Sequence, residues 1–206
     1  PYGRQSVDRE DIEAVVRVLE SDWLTTGPAV EEFEESFAQK CGATHAVAVS
    51  SGTAALHAML ASLGIGKGDE VIVPPLTFVA SANAAVFVGA TPVFADVDSE
   101  SLLLDPESVA ACLSPRTRAV IAVDYAGHPC DYEALRSITD GRDVSLLSDG
   151  CHALGGGQGD RSVGVLADAT TFSLHPVKHI TAGEGGVITT NDHIVAERLR
   201  WFRNHG

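Results

Sequence analysis

Hydrophobic residues follow two alternating patterns along this chain. Short, nearly uninterrupted apolar runs occur seven times, at residues 46–49, 71–73, 92–95, 119–123, 144–147, 169–173 and 186–189. Continuous runs of this length are typical of strands that are buried on both faces of a sheet. We therefore predict seven strands.

Helical patterns separate most of these strands, at residues 53–63, 78–88, 105–112 and 132–137. Strands that alternate with helices predict βαβ units and a parallel sheet covered by helices on both faces. The seventh strand follows the sixth too closely for a right-handed crossover, so we expect it to be antiparallel. The predicted fold class is α/β, as a three-layer α/β/α domain around a mostly parallel seven-stranded sheet.

Two further helices are predicted before the first strand. Residues 8–19 carry apolar side chains at helical spacing, and Val30, Phe33 and Phe37 mark a second helix after a loop at residues 21–28. We interpret residues 1–30 as an N-terminal arm and residues 31–206 as one large domain. The last residues form a helix that ends at a glycine, and we expect the sequence to continue beyond it.

Composition and charge exclude several classes of partner and site. The net charge is −14 with no basic cluster, which argues against nucleic acid or an anionic membrane as a partner. No apolar stretch reaches the roughly 18 residues of a membrane span, and no signal-peptide core is apparent. The four cysteines are scattered without a C-x-x-C pair, so we expect neither a metal site nor disulfides, and a cytoplasmic protein.

Lys178 is the most informative candidate for chemistry. It is one of only three lysines and lies between two apolar strands, in a turn rich in small residues. Burial there would disfavour the ammonium form. A neutral amine can bond to a carbonyl carbon, including the aldehyde of pyridoxal phosphate. For a single lysine, a plain surface position near a glycine turn is the more common interpretation.

Other candidates follow successive strands. Residues 50–56 form a small-residue turn that opens a helix, where N–H groups attract an anion and Thr53 could cap the helix, although an ordinary βα turn would look the same. Asp149 follows the fifth strand, as a cofactor partner or a helix cap. Phe78 could stack on a planar ring or pack in the core. Ser173 precedes Lys178 by five residues. Strand ends of an open α/β sheet share one ligand crevice.

This ordered set resembles the DegT/DnrJ/EryC1/StrS family of sugar aminotransferases, fold type I enzymes that depend on pyridoxal phosphate. The resemblance runs from about Pro1 to Gly206 and is most specific at residues 23–28, 51–56, 75–78, 173–178 and 183–186. It implies that the chain is the large domain of such an enzyme. The small C-terminal domain of the family, and the segment that reaches the cofactor of the neighbouring subunit in the dimer, are absent from this sequence.

The resemblance also implies roles, position by position. Lys178 would bond covalently to the cofactor and act as the catalytic base, and Asp149 would partner the pyridine nitrogen. The family usually has Gln at the position of His152, which contacts the ring oxygen. The other implied cofactor contacts are Gly52, Thr53, Ala54 and Ser173 at the phosphate and Phe78 on the ring. Substrate contacts are implied for Tyr2, Trp23, Leu24, Thr25 and Thr26, and no metal is implied.

Within the family, residues 22–28, 126–131 and 151–155 are most similar to the aminotransferase of pseudaminic acid biosynthesis. The implied reaction moves an amino group from L-glutamate to C4 of a UDP-linked 4-keto-6-deoxy-N-acetyl-hexosamine, in a homodimer. Three alternatives stay open: a sugar dehydratase of the same family, which has His in place of the lysine, a cysteine-desulfurase-like enzyme, and a non-catalytic regulator that binds the cofactor.

Overall fold

A computed structural model describes residues 3–205 of the protein. Its strands are β1 (His45–Val49), β2 (Glu70–Val73), β3 (Thr91–Phe94), β4 (Thr117–Val123), β5 (Ser145–Asp149), β6 (Gly157–Gln158), β7 (Arg161–Ser162), β8 (Ala169–Ser173) and β9 (Gly186–Thr190). Its α-helices are α1 (Arg9–Leu19), α2 (Pro28–Cys41), α3 (Gly52–Ser62), α4 (Ala80–Phe87), α5 (Pro106–Cys112), α6 (Tyr132–Thr139) and α7 (His193–Arg203).

Seven of these strands form one sheet in the order β1-β9-β8-β5-β4-β2-β3. Strands β3, β2, β4, β5 and β8 are parallel, whereas β9 is antiparallel to both of its neighbours, β8 and β1. The seven predicted strands and the antiparallel direction of the last one are therefore confirmed. The β6–β7 hairpin forms a separate two-stranded sheet, and its two-residue strands are too short to leave a pattern in the sequence.

The core lies on both faces of this sheet, because alternate residues of a strand point to opposite sides. Ile72, Val120 and Leu146 belong to one apolar cluster, together with side chains of α2, α5 and α6. Their neighbours Val71, Ala119 and Leu147 belong to the other, with side chains of α3, α4 and α7. The three-layer α/β/α architecture is thus confirmed.

Most of the α-helices begin directly after a residue whose side chain caps the helix N-terminus. Asp8 caps α1 by accepting the N–H groups of Glu10 and Asp11, and Asp192 caps α7 in the same way. At α3 the predicted cap is wrong. Ser51, not Thr53, is the N-cap: it is extended, with φ of −166°, and its hydroxyl accepts the Ala54 N–H.

Helix α1 differs from the others in having no buried residue. The helix predicted at residues 8–19 is present, but its apolar stripe, including Val15 and Leu19, faces solvent. The division into an arm and a domain at residue 30 stays a prediction. Across residues 3–205, no helix is both long enough and apolar enough to cross a membrane.

Candidate active site

The carboxyl ends of the parallel strands open into a cavity of about 510 Å³. Ligands of open α/β sheets bind at this edge. Seven of the residues that the sequence singled out line the cavity: Gly52, Thr53, Phe78, Asp149, His152, Ser173 and Lys178. Residues from five separate segments of the chain therefore meet at one site.

Asp149 is the last residue of β5 and is only 6% exposed. Its Oδ2 accepts a hydrogen bond from the Ser81 hydroxyl at 2.6 Å, and its Oδ1 accepts the Cys151 N–H at 3.2 Å. The helix-cap interpretation is wrong, because a turn and then β6 follow β5. A carboxylate held by two donors at the edge of a cavity is suited to bind a cationic group.

The N-terminus of α3 forms another wall. The Ala55 N–H donates to the Ser51 carbonyl, so Gly52 and Thr53 lie in the first turn, where N–H groups lack intrahelical partners. A Cβ atom at Gly52 would lie 2.9 Å from the Ser173 Cβ, so only glycine lets the helix approach β8 this closely. An anion would meet N–H groups and the positive end of the helix dipole here.

Ala54 is the exception among the expected phosphate contacts. It does not line the cavity, and its N–H is donated to the Ser51 hydroxyl at 3.0 Å. The N–H groups that precede it, those of Gly52 and Thr53, are better placed for a ligand.

Phe78 lies in the loop between β2 and α4 and is 71% exposed, so the core-packing interpretation is wrong. An exposed aromatic ring at a cavity wall is available to stack on a planar ligand. Ser173 ends β8, and Lys178 is half-buried in the connection from β8 to β9, where its N–H donates to the His175 carbonyl at 2.9 Å.

His152 and Cys151 lie beside these groups in the same cavity. Burial lowers the pKa of His152, and the nearby positive charge of Lys178 lowers it further. Burial raises the pKa of the Cys151 thiol well above its ordinary value, and the charge of Asp149 acts in the same direction. His152 is thus favoured as a neutral imidazole, and Cys151 as an uncharged thiol.

Asp124 directly follows β4 and is fully buried. Its carboxylate accepts the Cys130 N–H at 3.0 Å, the Tyr132 hydroxyl at 2.9 Å and the Ser148 hydroxyl at 2.7 Å. Burial raises its pKa to about 6. These bonds tie the loop after β4 to α6 and β5, which is a structural role at the cavity floor.

The expected substrate contacts in the loop at residues 21–28 lie elsewhere. Trp23, Leu24, Thr25 and Thr26 do not line the cavity, Trp23 and Leu24 are largely exposed, and Tyr2 lies outside the described residues. Their substrate role stays a prediction. Sequence reasoning missed Ser81 and Thr77, because small hydroxyl residues near a helix start carry no distinctive signal. Across residues 3–205, no group of three or more His, Cys, Asp or Glu side chains is arranged to hold a metal.

The cavity residues fit pyridoxal phosphate. A helix N-terminus suits the phosphate, an exposed aromatic suits the ring, a buried carboxylate suits the pyridine nitrogen, and a lysine amine suits the aldehyde. Comparison with known proteins agrees. Residues 5–206 match the DegT/DnrJ/EryC1/StrS aminotransferase family. The chain belongs to this family.

Named relatives include the spore coat polysaccharide biosynthesis protein SpsC of Bacillus subtilis (strain 168), which is 44% identical over 206 residues, all of this chain and 53% of SpsC. Among solved structures, Spr1654 of Streptococcus pneumoniae in its PLP form has a TM-score of 0.95 and 32% identity, over 100% of this chain and 58% of that one. Spr1654 has also been solved in a PMP form.

Helicobacter pylori PseC, an aminotransferase involved in the biosynthesis of pseudoaminic acid, has a TM-score of 0.94 and 36% identity, over 100% of this chain and 56% of PseC. The chain thus spans about half the length of the relatives it matches. The expected family and the fold type I architecture are confirmed.

Proposed function

We propose that the full-length protein is an aminotransferase that uses pyridoxal phosphate to move an amino group from L-glutamate to a keto carbon of a nucleotide-linked sugar. The observation that carries the proposal is the meeting of Lys178, Asp149 and the Gly52–Thr53 turn in one cavity. Membership of an aminotransferase family, and the PLP and PMP forms of Spr1654, support it.

Binding and orientation come from the cavity walls. The N–H groups of Gly52 and Thr53 and the hydroxyl of Ser173 would hold the phosphate, and Phe78 would cover one face of the ring. When bound, pyridoxal phosphate supplies an electron sink for a carbon that loses its proton. Asp149 would keep the ring nitrogen protonated, because its buried carboxylate stabilises a neighbouring positive charge.

Lys178 would have two tasks. Its Nζ would hold the cofactor between turnovers and, once displaced by the amino donor, would move a proton to and from the reacting carbon as a general base. Family dehydratases have His at this position, so Lys178 favours amino transfer. His152 would offer a neutral imidazole N–H to the ring oxygen.

For the substrate, we propose C4 of a UDP-linked 4-keto-6-deoxy-N-acetyl-hexosamine. The support is the similarity of residues 22–28, 126–131 and 151–155 to the pseudaminic acid aminotransferases, and the likeness to PseC. A nucleotide diphosphate would need local N–H donors against the −14 charge of the chain. We further propose a cytoplasmic homodimer, on the family resemblance alone.

The test is borohydride reduction of the full-length protein with pyridoxal phosphate, followed by peptide mass mapping. We expect a pyridoxyl group on Lys178, and none on that peptide in Lys178→Ala. Lys40→Ala and Lys67→Ala remove the two exposed lysines and serve as matched controls that keep the adduct. Modification of Lys40 or Lys67 alone, or of no lysine, would refute the proposed site.

Amino transfer itself is tested by adding L-glutamate and following the absorbance of the bound cofactor. Conversion to the amine form, reversed by the keto sugar, is the expected result. A protein that carries the adduct on Lys178 but does not respond to glutamate would instead be a binding regulator.

A further inference from the structure

Three polar side chains form a continuous hydrogen-bonded series at the wall of the cavity. The Thr77 and Ser81 hydroxyl oxygens are 2.7 Å apart, and the Ser81 hydroxyl lies 2.6 Å from Asp149 Oδ2. Ser81 is fully buried and Asp149 nearly so. The series therefore runs from the cavity wall at Thr77 to the carboxylate, shielded from water at its centre.

The direction of these bonds follows from counting protons. The Ser81 hydroxyl has one proton and three acceptors within reach: Asp149 Oδ2 at 2.6 Å, the Thr77 hydroxyl oxygen at 2.7 Å and the Phe78 carbonyl at 3.2 Å. The shorter bond to a charged oxygen is the stronger one. Ser81 therefore donates to Asp149, and its own oxygen is left to accept the Thr77 proton.

We propose that Ser81 is a positioning residue for the reaction, acting through Asp149, and that Thr77 orients Ser81. This inference rests on the proposed function. The Ser81 bond to Oδ2 and the Cys151 N–H bond to Oδ1 fix the rotation of the carboxylate. A donated hydrogen bond also stabilises the negative charge of Asp149, which would keep the shared proton on the ring nitrogen when the cofactor is bound.

The fold explains why this residue is placed here. Ser81 is the second residue of α4, and Phe78 lies three residues earlier in the loop that precedes that helix. One short segment thus positions the ring-stacking aromatic and the donor to the ring's acidic partner. A shift of this segment would move Phe78 and Ser81 together. Stacking on the cofactor ring and protonation of the ring nitrogen would therefore be coupled.

An ordinary buried helix serine provides the matched control. Ser62 is 4% exposed, and its hydroxyl donates to the Met59 carbonyl at 2.8 Å. It has the burial and the local backbone bond of Ser81, but no carboxylate partner among the described residues. Ser62→Ala therefore removes a comparable hydroxyl and leaves Asp149 untouched.

The experiment uses full-length protein loaded with pyridoxal phosphate that is isotopically labelled at the ring nitrogen. Nuclear magnetic resonance reports whether that nitrogen is protonated, and an absorbance titration gives the cofactor Kd. In Ser81→Ala we expect the nitrogen signal to move toward the unprotonated position and the Kd to rise roughly ten-fold, the loss of one charge-assisted hydrogen bond. Ser62→Ala should match the wild type in both measurements.

A folded Ser81→Ala protein with the wild-type nitrogen signal would overturn the inference. If Ser81→Ala does not fold, Thr77→Val carries the test, since it removes only the outer hydroxyl: a smaller shift in the same direction supports the inference and an unchanged signal overturns it. Failure of the wild type to bind the cofactor would refute the proposed function instead.

Discussion

Gly186 gives the sharpest test of how the sheet builds the site. It begins β9, where it is paired with Val49 of β1 and Ser173 of β8. A Cβ atom there would lie 2.2 Å from the Ser51 carbonyl oxygen and 2.8 Å from the Gly52 nitrogen. Ordinary contact begins at 3.4 Å, so Gly186→Ala requires a movement of about 1.2 Å, the difference between 3.4 and 2.2 Å.

The turn at Ser51 and Gly52 must make this movement, because β9 is held by strands on both sides. Overpacking of this kind costs roughly 3 kcal/mol when backbone atoms must shift. At roughly 2–4 °C for each kcal/mol in a domain of this size, Gly186→Ala should lower the Tm by about 6–12 °C. The displaced turn should also weaken cofactor binding, since it carries the expected phosphate contacts.

The assay is thermal unfolding followed by circular dichroism, with and without pyridoxal phosphate. Ligand binding raises the Tm of the wild type through linkage, and we expect a smaller increase in Gly186→Ala. Gly66→Ala is the control, because its Cβ would meet only the Val88 carbonyl oxygen at 3.5 Å. A Gly186→Ala protein that melts within about 2 °C of the wild type would refute the reasoning.

Two further predictions concern buried acids. The pKa of Asp124 is raised from 3.8 to about 6, so the folded state holds a proton that the unfolded chain releases, and this contribution to stability is present below pH 3.8 and lost as the pH rises through 6. It amounts to about 3 kcal/mol at low pH. Urea unfolding should show a fall of roughly 2 kcal/mol between pH 4 and 7 in the wild type beyond any fall in Asp124→Asn, and equal falls would contradict it. Glu34→Ala should cost roughly 3 kcal/mol in urea unfolding, because it strands the partly buried Arg203 and the Ala48 N–H. Glu35→Ala, at the exposed neighbouring position, should cost less than about 0.5 kcal/mol, and similar losses in both variants would argue against the Arg203 pair.

Most of the sheet could be predicted from sequence because its five inner strands are buried on both faces and so appear as continuous apolar runs. The location of the cavity could be predicted from the same pattern of strands. Parallel strands bring their carboxyl ends to one edge, so Asp149 and Ser173, each at the end of a predicted strand, had to lie near each other. No comparable rule predicts where a long loop lies. The sequence identifies Lys178 only by its chemical type and by the resemblance of the surrounding segment to the family.

Other features depend on dihedral angles or on distant packing, which leave little trace in the sequence. Ser51 and Thr53 are both good caps, and only the extended backbone of Ser51 decides between them. Phe78 looks the same in sequence whether it packs in the core or lines a cavity. Ser81 acts on a carboxylate 68 positions away, a relation that no local pattern encodes.

The position of β9 between β1 and β8 has a consequence for the newly made chain. Among residues 3–205, β1 pairs with β9 alone, and the paired residues Val49 and Gly186 are 137 positions apart in the chain, 186 minus 49. At roughly 5–20 residues per second, the ribosome releases β1 on the order of ten seconds before its partner. During that interval the apolar strand β1 has no strand partner. The turn at Ser51 also lacks the Gly186 backbone against which it packs. We therefore expect the nascent chain to bind its cofactor only after β9 has been synthesised.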